Sequence, residues 1–459
     1  MNGAAGAVAS PRALGRVSPV AWWLAFVLGA SYALLALGPL ALAAVVALWL
    51  LALPRLLGAQ ADAFALERAG ALFVFVVAAE AERLDGILGL RALLFCVVAL
   101  VGAGWLWRRI ADVRALFSQP AVVLFGLFLL LQVWSGWMAD APGLGDIALV
   151  RLYVFEALLV TAVLARRPGG RALVPALVAL AALMALPVMA REILDHERLG
   201  LVITEGGELR AGALYGQPNV AGIALDFGLA FAAVLFSDGA IGRRAFALCS
   251  LGALAGILAT ASRGALMVGI VIGTGAWLLQ PGSGRAAGRP RLLRAVLVIG
   301  GLLLVLRPAG QLLARAGDLF GLEDLSRLQE ATMALTGSPG EMMDDDSERL
   351  ELITEAERRI AARPLFGWGT GAFMNDELRS HVEFLEILGE NGAFGAALYA
   401  LVLLSIGLAV FRLPRSRAAA GLLVSAWLLT HFHNHNLVET PFMSMPIGYV
   451  CGLASLQKG

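Results

Sequence analysis

The sequence predicts an all-α, polytopic transmembrane helical bundle of 12 to 14 spans with one large outward helical loop, and three observations carry that prediction. Hydrophobic residues fill 59% of the 459 positions against 15% charged, and the mean hydropathy is +0.80. A soluble fold of this length cannot bury so much apolar surface, so lipid must solvate it. Apolar windows of roughly 16 to 28 residues recur along the chain, each close to the ~20 residues that cross a ~30 Å hydrocarbon core. Arginines gather in alternate connections, the pattern of a chain that crosses back and forth with its basic ends on one side.

In chain order the windows are 20–37, 39–53, 64–79, 87–107, 120–138, 147–165, 171–190, 217–236, 243–259, 264–280, 292–307, 383–410, 418–433 and 437–456. The first three are short or carry charges such as Glu67 and Arg68, which makes the count a range. The basic connections are Arg12 and Arg16, Arg55, Arg108 to Arg114, Arg166 to Arg171, Arg243 and Arg244, Arg285 to Arg294, and Arg412 to Arg417. The positive-inside rule makes them cytoplasmic. The remaining connections, including Glu80 to Asp85, Asp140 to Asp146 and Arg307 to Ser380, are acidic or mixed and are expected outside, with both termini inside. The stretch up to Ser18 is too poor in apolar length for a cleavable signal, so the first window is expected to act as an uncleaved insertion signal.

Four regions follow from this reading: N-terminal transmembrane helices over 1–200, transmembrane helices with arginine motifs over 201–306, the outward loop 307–380, and C-terminal transmembrane helices over 381–459. No internal repeat or inverted pair of Gly/Pro-broken helices marks a secondary transporter. The net charge of +1 leaves no basic domain to neutralise a nucleic acid, so nucleic acid is not an expected partner. Cys96, Cys249 and Cys451 sit in apolar windows without metal or disulfide spacing and read as inert core thiols. Within the loop, 341–363 reads as an amphipathic helix: Asp344, Asp345 and Asp346 at its start, Leu350, Ile353, Ile360 and Ala361 at helical spacing, and Pro364 as its stop. Gly367, Gly369 and Gly371 then read as a flexible turn that delivers the chain to His381.

His381 is the candidate catalytic residue. Ser380 and Glu383 have capping-box spacing, which puts His381 at the first helical position, beside N–H groups without intrahelical partners. The positive end of the helix dipole disfavours imidazolium, so a neutral ring there can accept a proton from a hydroxyl near neutral pH. The alternative is a polar anchor at the membrane interface. Arg210, Arg263 and Arg349 are expected on the outward side, against the charge rule, and a guanidinium forks onto phosphate oxygens. Their alternative is snorkelling, or an ion pair with Asp226 or Glu439. The run His431-Phe432-His433-Asn434-His435-Asn436 resembles a metal site only superficially, since on a helix just His431 and His435 share a face; it reads rather as substrate-lining or interfacial. Asp344 to Asp346 give no closed ligand set either, so neither metal nor cofactor is expected.

These residues together resemble the bacterial O-antigen ligase and O-antigen polymerase family of polytopic glycosyltransferases. His381, Leu385, Glu390, Gly392 and Gly395 fall at the offsets of its His-Asn-x-x-Leu and Glu-x-Gly-x-x-Gly signature, with Val382 where the family has asparagine. Leu365-Phe366-Gly367-Trp368-Gly369 resembles its lead-in, Thr260-Ala261-Ser262-Arg263-Gly264 its Ser-Arg-Gly signature, and Arg210 to Asn219 its Arg-x-x-Gly…Pro-Asn segment. The resemblance implies transfer of a glycan from an undecaprenyl-pyrophosphate carrier to a hydroxyl of a glycan or lipid A-core acceptor. It implies a multi-pass protein of the bacterial inner membrane, in contact with membrane lipids, with the large loop periplasmic. It makes His381 the base and gives substrate contact to Arg210, Arg263, Arg349, Asn219 and Glu390. Ligase and polymerase share this donor and are not separated by the sequence. A lipid-linked glycan transporter or flippase is the alternative reading.

Overall fold

The computed structural model describes residues 18–35, 37, 41–80, 90–139, 144–194, 203–205, 208–278, 347–372, 383–413, 417–431 and 440–457. They form an all-helical polytopic fold with one small two-stranded pair. The elements are α1 (Pro19–Leu35), α2 (Ala41–Leu56), α3 (Ala61–Leu66), α4 (Arg68–Ala78), α5 (Leu90–Arg108), α6 (Ile110–Leu116), α7 (Pro120–Met138), α8 (Leu144–Arg166) and α9 (Gly170–Leu194). After them come β1 (Ile203–Glu205), β2 (Glu208–Arg210), α10 (Pro218–Ser237), α11 (Arg243–Ala259), α12 (Arg263–Leu278), α13 (Ser347–Ala362), α14 (Glu383–Phe411), α15 (Arg417–Thr430) and α16 (Met445–Ser455).

Proline opens α7 and α10 at the first turn, where a missing N–H costs nothing. The centre of the bundle is α8, α9, α10 and α16. Water expulsion does not drive helices together in lipid, so these approach through small residues. Gly448 and Gly452 of α16 lie on the Leu158 and Ala162 carbonyls of α8, and Gly228 of α10 faces Ala182 of α9. At the edge, Trp49 Nε1 donates to Ser31 Oγ at 3.0 Å, which satisfies a buried indole between α1 and α2.

The basic connections converge on one end of the bundle. Glu67, at the break between α3 and α4, accepts bonds from Arg109 and Arg167 at 3.0 Å, and Arg167 also reaches Asp112 at 3.3 Å. Arg171 makes a two-pronged pair with Asp238 at 2.9 Å. Arg166 donates to Ser455 Oγ at 2.7 Å. Single exposed pairs contribute ~0–1 kcal/mol, so the value of this set lies in tying four connections and the end of α16 together. The short helices α3 and α6 both belong to this end, bent by 88° from α2 and 87° from α5. Glu67 and Arg68 therefore stand at the break that precedes α4 rather than inside an apolar helix.

Among the described residues, full-length spans are fewer than the windows. Five described helices are long and apolar enough to cross a membrane, or up to seven if each bent pair is one span. The window 292–307 lies outside the described residues. Among its described residues, window 437–456 holds the 11-residue α16, every residue of which is buried. Its apolar run is matched to protein rather than lipid, a distinction that window hydropathy does not register. Among the cysteines only Cys451 is a core thiol; Cys249 is half-buried and Cys96 is exposed on the flank of α5.

Candidate functional site at the end opposite the arginine network

Helix α14 is broken at Gly392, whose φ of 64° and ψ of −168° no helix tolerates. A break frees two N–H and two C=O groups that would have paired across it. The segment after α13 takes up all four. Trp368 N–H donates to the Gly389 carbonyl at 2.9 Å and Gly369 N–H to that of Glu390 at 2.8 Å. In return Ala393 N–H donates to the Pro364 carbonyl at 2.8 Å and Phe394 N–H to that of Leu365 at 3.2 Å. Such contact between backbones needs glycine: a Cβ at Gly367 would strike the Glu390 carbonyl, and one at Gly392 the Leu365 carbonyl. Gly367, Gly369 and Gly371 all have positive φ.

Side chains fix the same segment. Thr370 N–H donates to Ser135 Oγ of α7 at 2.9 Å, and Asn391 Nδ2 donates to Ser135 Oγ at 2.8 Å and Thr370 Oγ1 at 2.9 Å. Glu390 Oε1 accepts Gly371 N–H at 2.8 Å. Arg363 lies over the Trp368 ring at 4.0 Å, while Trp368 Nε1 donates to the Arg359 carbonyl at 2.9 Å. The expected flexible glycine turn is thus a clamped one, since positive-φ glycines serve close approach here rather than mobility. The helix before it is described over Ser347–Ala362, and 341–346 lie outside the described residues. Its middle is braced by Arg358 and Arg359, which hydrogen-bond the Glu355 carboxylate and hold it down to about 2.

The second half of the site is the arginine turn. Arg210 ends β2, paired with Ile203 of β1, and the next residue, Ala211, donates its N–H to the Ala259 carbonyl at the end of α11 at 3.1 Å. Ala259 leads through Ala261, at a φ of 51°, to Arg263, the first residue of α12. Thr260 and Ser262 are buried; Ser262 Oγ accepts Ala265 N–H at 3.4 Å and so caps α12. Gly222 of α10 packs on this turn, 2.6 Å being all that would separate an added Cβ from Ala265. The backbone segments carrying Arg210 and Arg263, 53 positions apart, therefore lie side by side. Asn219, exposed in the first turn of α10, is one turn from Gly222. Glu192 Oε2 of α9 accepts Ala213 N–H at 2.9 Å and Tyr215 donates to the Ala78 carbonyl at 3.0 Å, which pins the intervening link.

Of the sequence candidates, the structure brings Arg210, Asn219 and Arg263 to one place and sets Glu390 in the clamp. Arg349 is the third residue of α13. His381, with Ser380 and Val382, lies outside the described residues, two positions before α14 begins at Glu383. Asp226 does not pair with an arginine: neither carboxylate oxygen has a hydrogen-bond partner, and Glu439 lies outside the described residues. Both ring nitrogens of His431 are engaged, Nδ1 with the Trp427 carbonyl at 2.8 Å and Nε2 with Tyr399 Oη, which removes it as a metal ligand. Asp344 to Asp346, His433 and His435 lie outside the described residues, and among those described no three His, Cys, Asp or Glu converge. Sequence reasoning missed Ser135, Thr370 and Asn391. The signal for Asn391 was an amide between Glu390 and Gly392; Ser135, in an apolar run, gave none.

Residues 247–400 match the family model described as O-antigen ligase, about a third of the chain. The match runs from α11 to the middle of α14, taking in the Arg263 turn, the glycine clamp and the break, and leaving out Arg210 and Asn219. No curated protein matches the chain.

Proposed function

We propose that this chain, a member of the O-antigen ligase and polymerase family through residues 247–400, moves a glycan from an undecaprenyl-pyrophosphate carrier to an acceptor hydroxyl at the periplasmic face of a bacterial inner membrane. One observation carries the reading: the matched segment folds so that the arginine turn and the clamp leading into α14 belong to the end opposite the basic network. With the basic end cytoplasmic, both halves of the site and the 307–380 loop are periplasmic. The four regions bounded at 200, 306 and 380 then serve as scaffold, donor-side helices, loop and base-side helices.

In this reaction the acceptor oxygen attacks the anomeric carbon while the bond from that carbon to the pyrophosphate oxygen breaks. The hydroxyl proton goes to His381 and the electron pair leaves on the lipid pyrophosphate. Attack opposite the leaving group inverts the anomeric centre, and no covalent intermediate on the protein is needed. Arg210 and Arg263 neutralise charge as it develops on the pyrophosphate. Arg349 and Asn219 contribute substrate contacts, and Glu390 holds Gly371 while its carboxylate borders the acceptor side.

The test is a purified full-length protein in lipid, given a lipid-pyrophosphate glycan and candidate acceptors, with products separated by length; one addition marks a ligase, a ladder a polymerase. His381→Ala is expected to lower transfer by about 10² to 10⁴, the usual contribution of a general base. Near-normal turnover would reduce His381 to an interfacial anchor. A transporter of lipid-linked glycans is the second reading, favoured by the mid-helix acids Glu156 and Asp226, which have buried carboxylate oxygens without hydrogen-bond partners. Movement of the donor across the bilayer without glycan transfer in the same preparation would favour it.

A further inference from the structure

Two helices long and apolar enough to cross a membrane meet the clamp at their ends. Helix α7 stops at Met138, and Gly369 packs on the next residue, where an added Cβ would strike the Ala139 side chain. Beyond its break α14 continues from Ala393 to Phe411, a rise of about 28 Å at 1.5 Å per residue, close to the ~30 Å of a hydrocarbon core. The first two N–H groups of that run, Ala393 and Phe394, donate to the Pro364 and Leu365 carbonyls. Residues 364–370 therefore stand at the level where the hydrocarbon core ends.

That level carries exposed apolar side chains. Phe394 of α14 and Trp134, Trp137 and Met138 of α7 are all exposed, and tryptophan at the end of a span marks the membrane–water boundary. Leu365 and Phe366 belong to neither helix, yet they are 64% and 68% exposed. The backbone exchange uses only main-chain atoms of Leu365, which a polar residue would supply equally, so it does not account for this apolar pair. Arg358 and Arg359 are engaged by Glu355, whereas the Arg363 guanidinium, exposed and stacked on Trp368 at 4.0 Å, has no carboxylate partner among the described residues. A cation two positions before an apolar pair suits a segment seated in headgroups, with the apolar side chains below and the charge at the phosphate. His431, expected at the interface, is instead buried.

We propose that Leu365 and Phe366 insert into the headgroup–acyl boundary of the leaflet at this end, with the Arg363 guanidinium on a phospholipid phosphate, and so anchor the clamp to the bilayer. Continuity with the lipid-facing ends of α7 and α14 names the occupant as phospholipid. Charge agrees, because a guanidinium forks onto phosphate oxygens. The four backbone bonds and the positive-φ glycines hold the tip in shape before it meets lipid, so insertion has little left to order. The anchor requires only that α7 and the second half of α14 cross the bilayer, and it stands whichever reaction the protein performs.

The experiment uses full-length protein without Cys96, Cys249 and Cys451, one copy per nanodisc, with a bimane label on Phe366→Cys or on Leu365→Cys. Glu357→Cys, at an exposed position of α13, is the comparison. In phosphatidylcholine brominated on the upper acyl chain, the labels at 365 and 366 are each expected to lose about half of their fluorescence and to be shielded from aqueous iodide; the label at 357 should show the reverse. Arg363→Gln removes the phosphate contact and leaves Trp368 Nε1 on the Arg359 carbonyl. It should weaken bromolipid quenching at 366 by roughly twofold. Iodide quenching at 365 and 366 equal to that at 357 would overturn the inference. Shielding from iodide without bromolipid quenching would overturn it too, since another part of the chain would then cover the tip. Unchanged quenching in Arg363→Gln would overturn the phosphate contact.

Discussion

The N–H of Gly369 bonds to the carbonyl of Glu390 at 2.8 Å, and that carbonyl is free to accept because Gly392 turns the backbone out of helix two residues later. Two glycine motifs some twenty residues apart are therefore one structure. Each supplies the backbone partners that the other lacks, and each glycine is placed where a side chain would collide with the opposite strand of the exchange.

Gly392→Ala and Gly367→Ala should accordingly destabilise the protein sharply. Each combines a positive φ, which costs an L-residue about 1–3 kcal/mol, with a Cβ driven into a carbonyl, for roughly 1–3 kcal/mol more. Gly104→Ala is the control. Its Cβ meets nothing within 4 Å on the exposed face of α5, so alanine should be neutral or stabilising by up to about 1 kcal/mol. Thermal unfolding of the detergent-solubilised variants checks both; equal melting of Gly392→Ala and Gly104→Ala would show that the clamp contributes nothing.

These glycines were legible in the sequence as punctuation, but their mutual fit was not. A glycine marks backbone freedom or close approach without naming what approaches. The Arg263 turn was legible for a simpler reason: polar residues 260–264 interrupt two apolar runs, and α11 and α12 end and begin there. Ser135 was not, because one hydroxyl in α7 does not alter its hydropathy, and its partners Thr370 and Asn391 come more than 230 positions later. The bond from His431 to Tyr399 likewise joins two helices across a gap that periodicity cannot bridge. The lateral helices α3 and α6 were hidden because hydropathy measures burial, not direction.

Arg210→Lys and Arg263→Lys should each lower transfer by roughly tenfold or more although charge is kept, since lysine cannot reproduce a planar two-pronged contact with phosphate oxygens. Melting should stay near wild type, because both variants keep the bonds by which Ala211 N–H and Ser262 hold the turn. Steady-state kinetics with the lipid-pyrophosphate donor decides the point. Wild-type kcat/KM in both variants would return the two arginines to a structural role.

Sidedness is open to direct chemistry. In a background without Cys96, Cys249 and Cys451, a cysteine at exposed Glu357 of α13 should react with an impermeant maleimide in cells whose outer membrane alone is permeabilised. A cysteine at exposed Arg114, beside the basic network, should react only after the inner membrane is opened. The reverse pattern would put the clamp and the arginine turn in the cytoplasm and remove a periplasmic reaction from consideration.

Transfer should continue in excess EDTA. A departing pyrophosphate needs positive charge, which many enzymes supply as a divalent cation; here two permanently charged arginines brought to one turn are proposed to supply it. His431, the one histidine of its run with a described ring, spends Nδ1 on the Trp427 carbonyl and Nε2 on Tyr399, so metal binding there would cost two buried hydrogen bonds before any ligand bond formed. Carboxylates at Asp344 to Asp346 would repel the donor unless a cation stood between them, which makes the chelator informative in both directions. Loss of turnover in EDTA, with recovery on added Mg²⁺ or Zn²⁺, would make the arginine pair secondary. Replacement of the three aspartates, or of His433 and His435, would then identify the cluster that holds the ion.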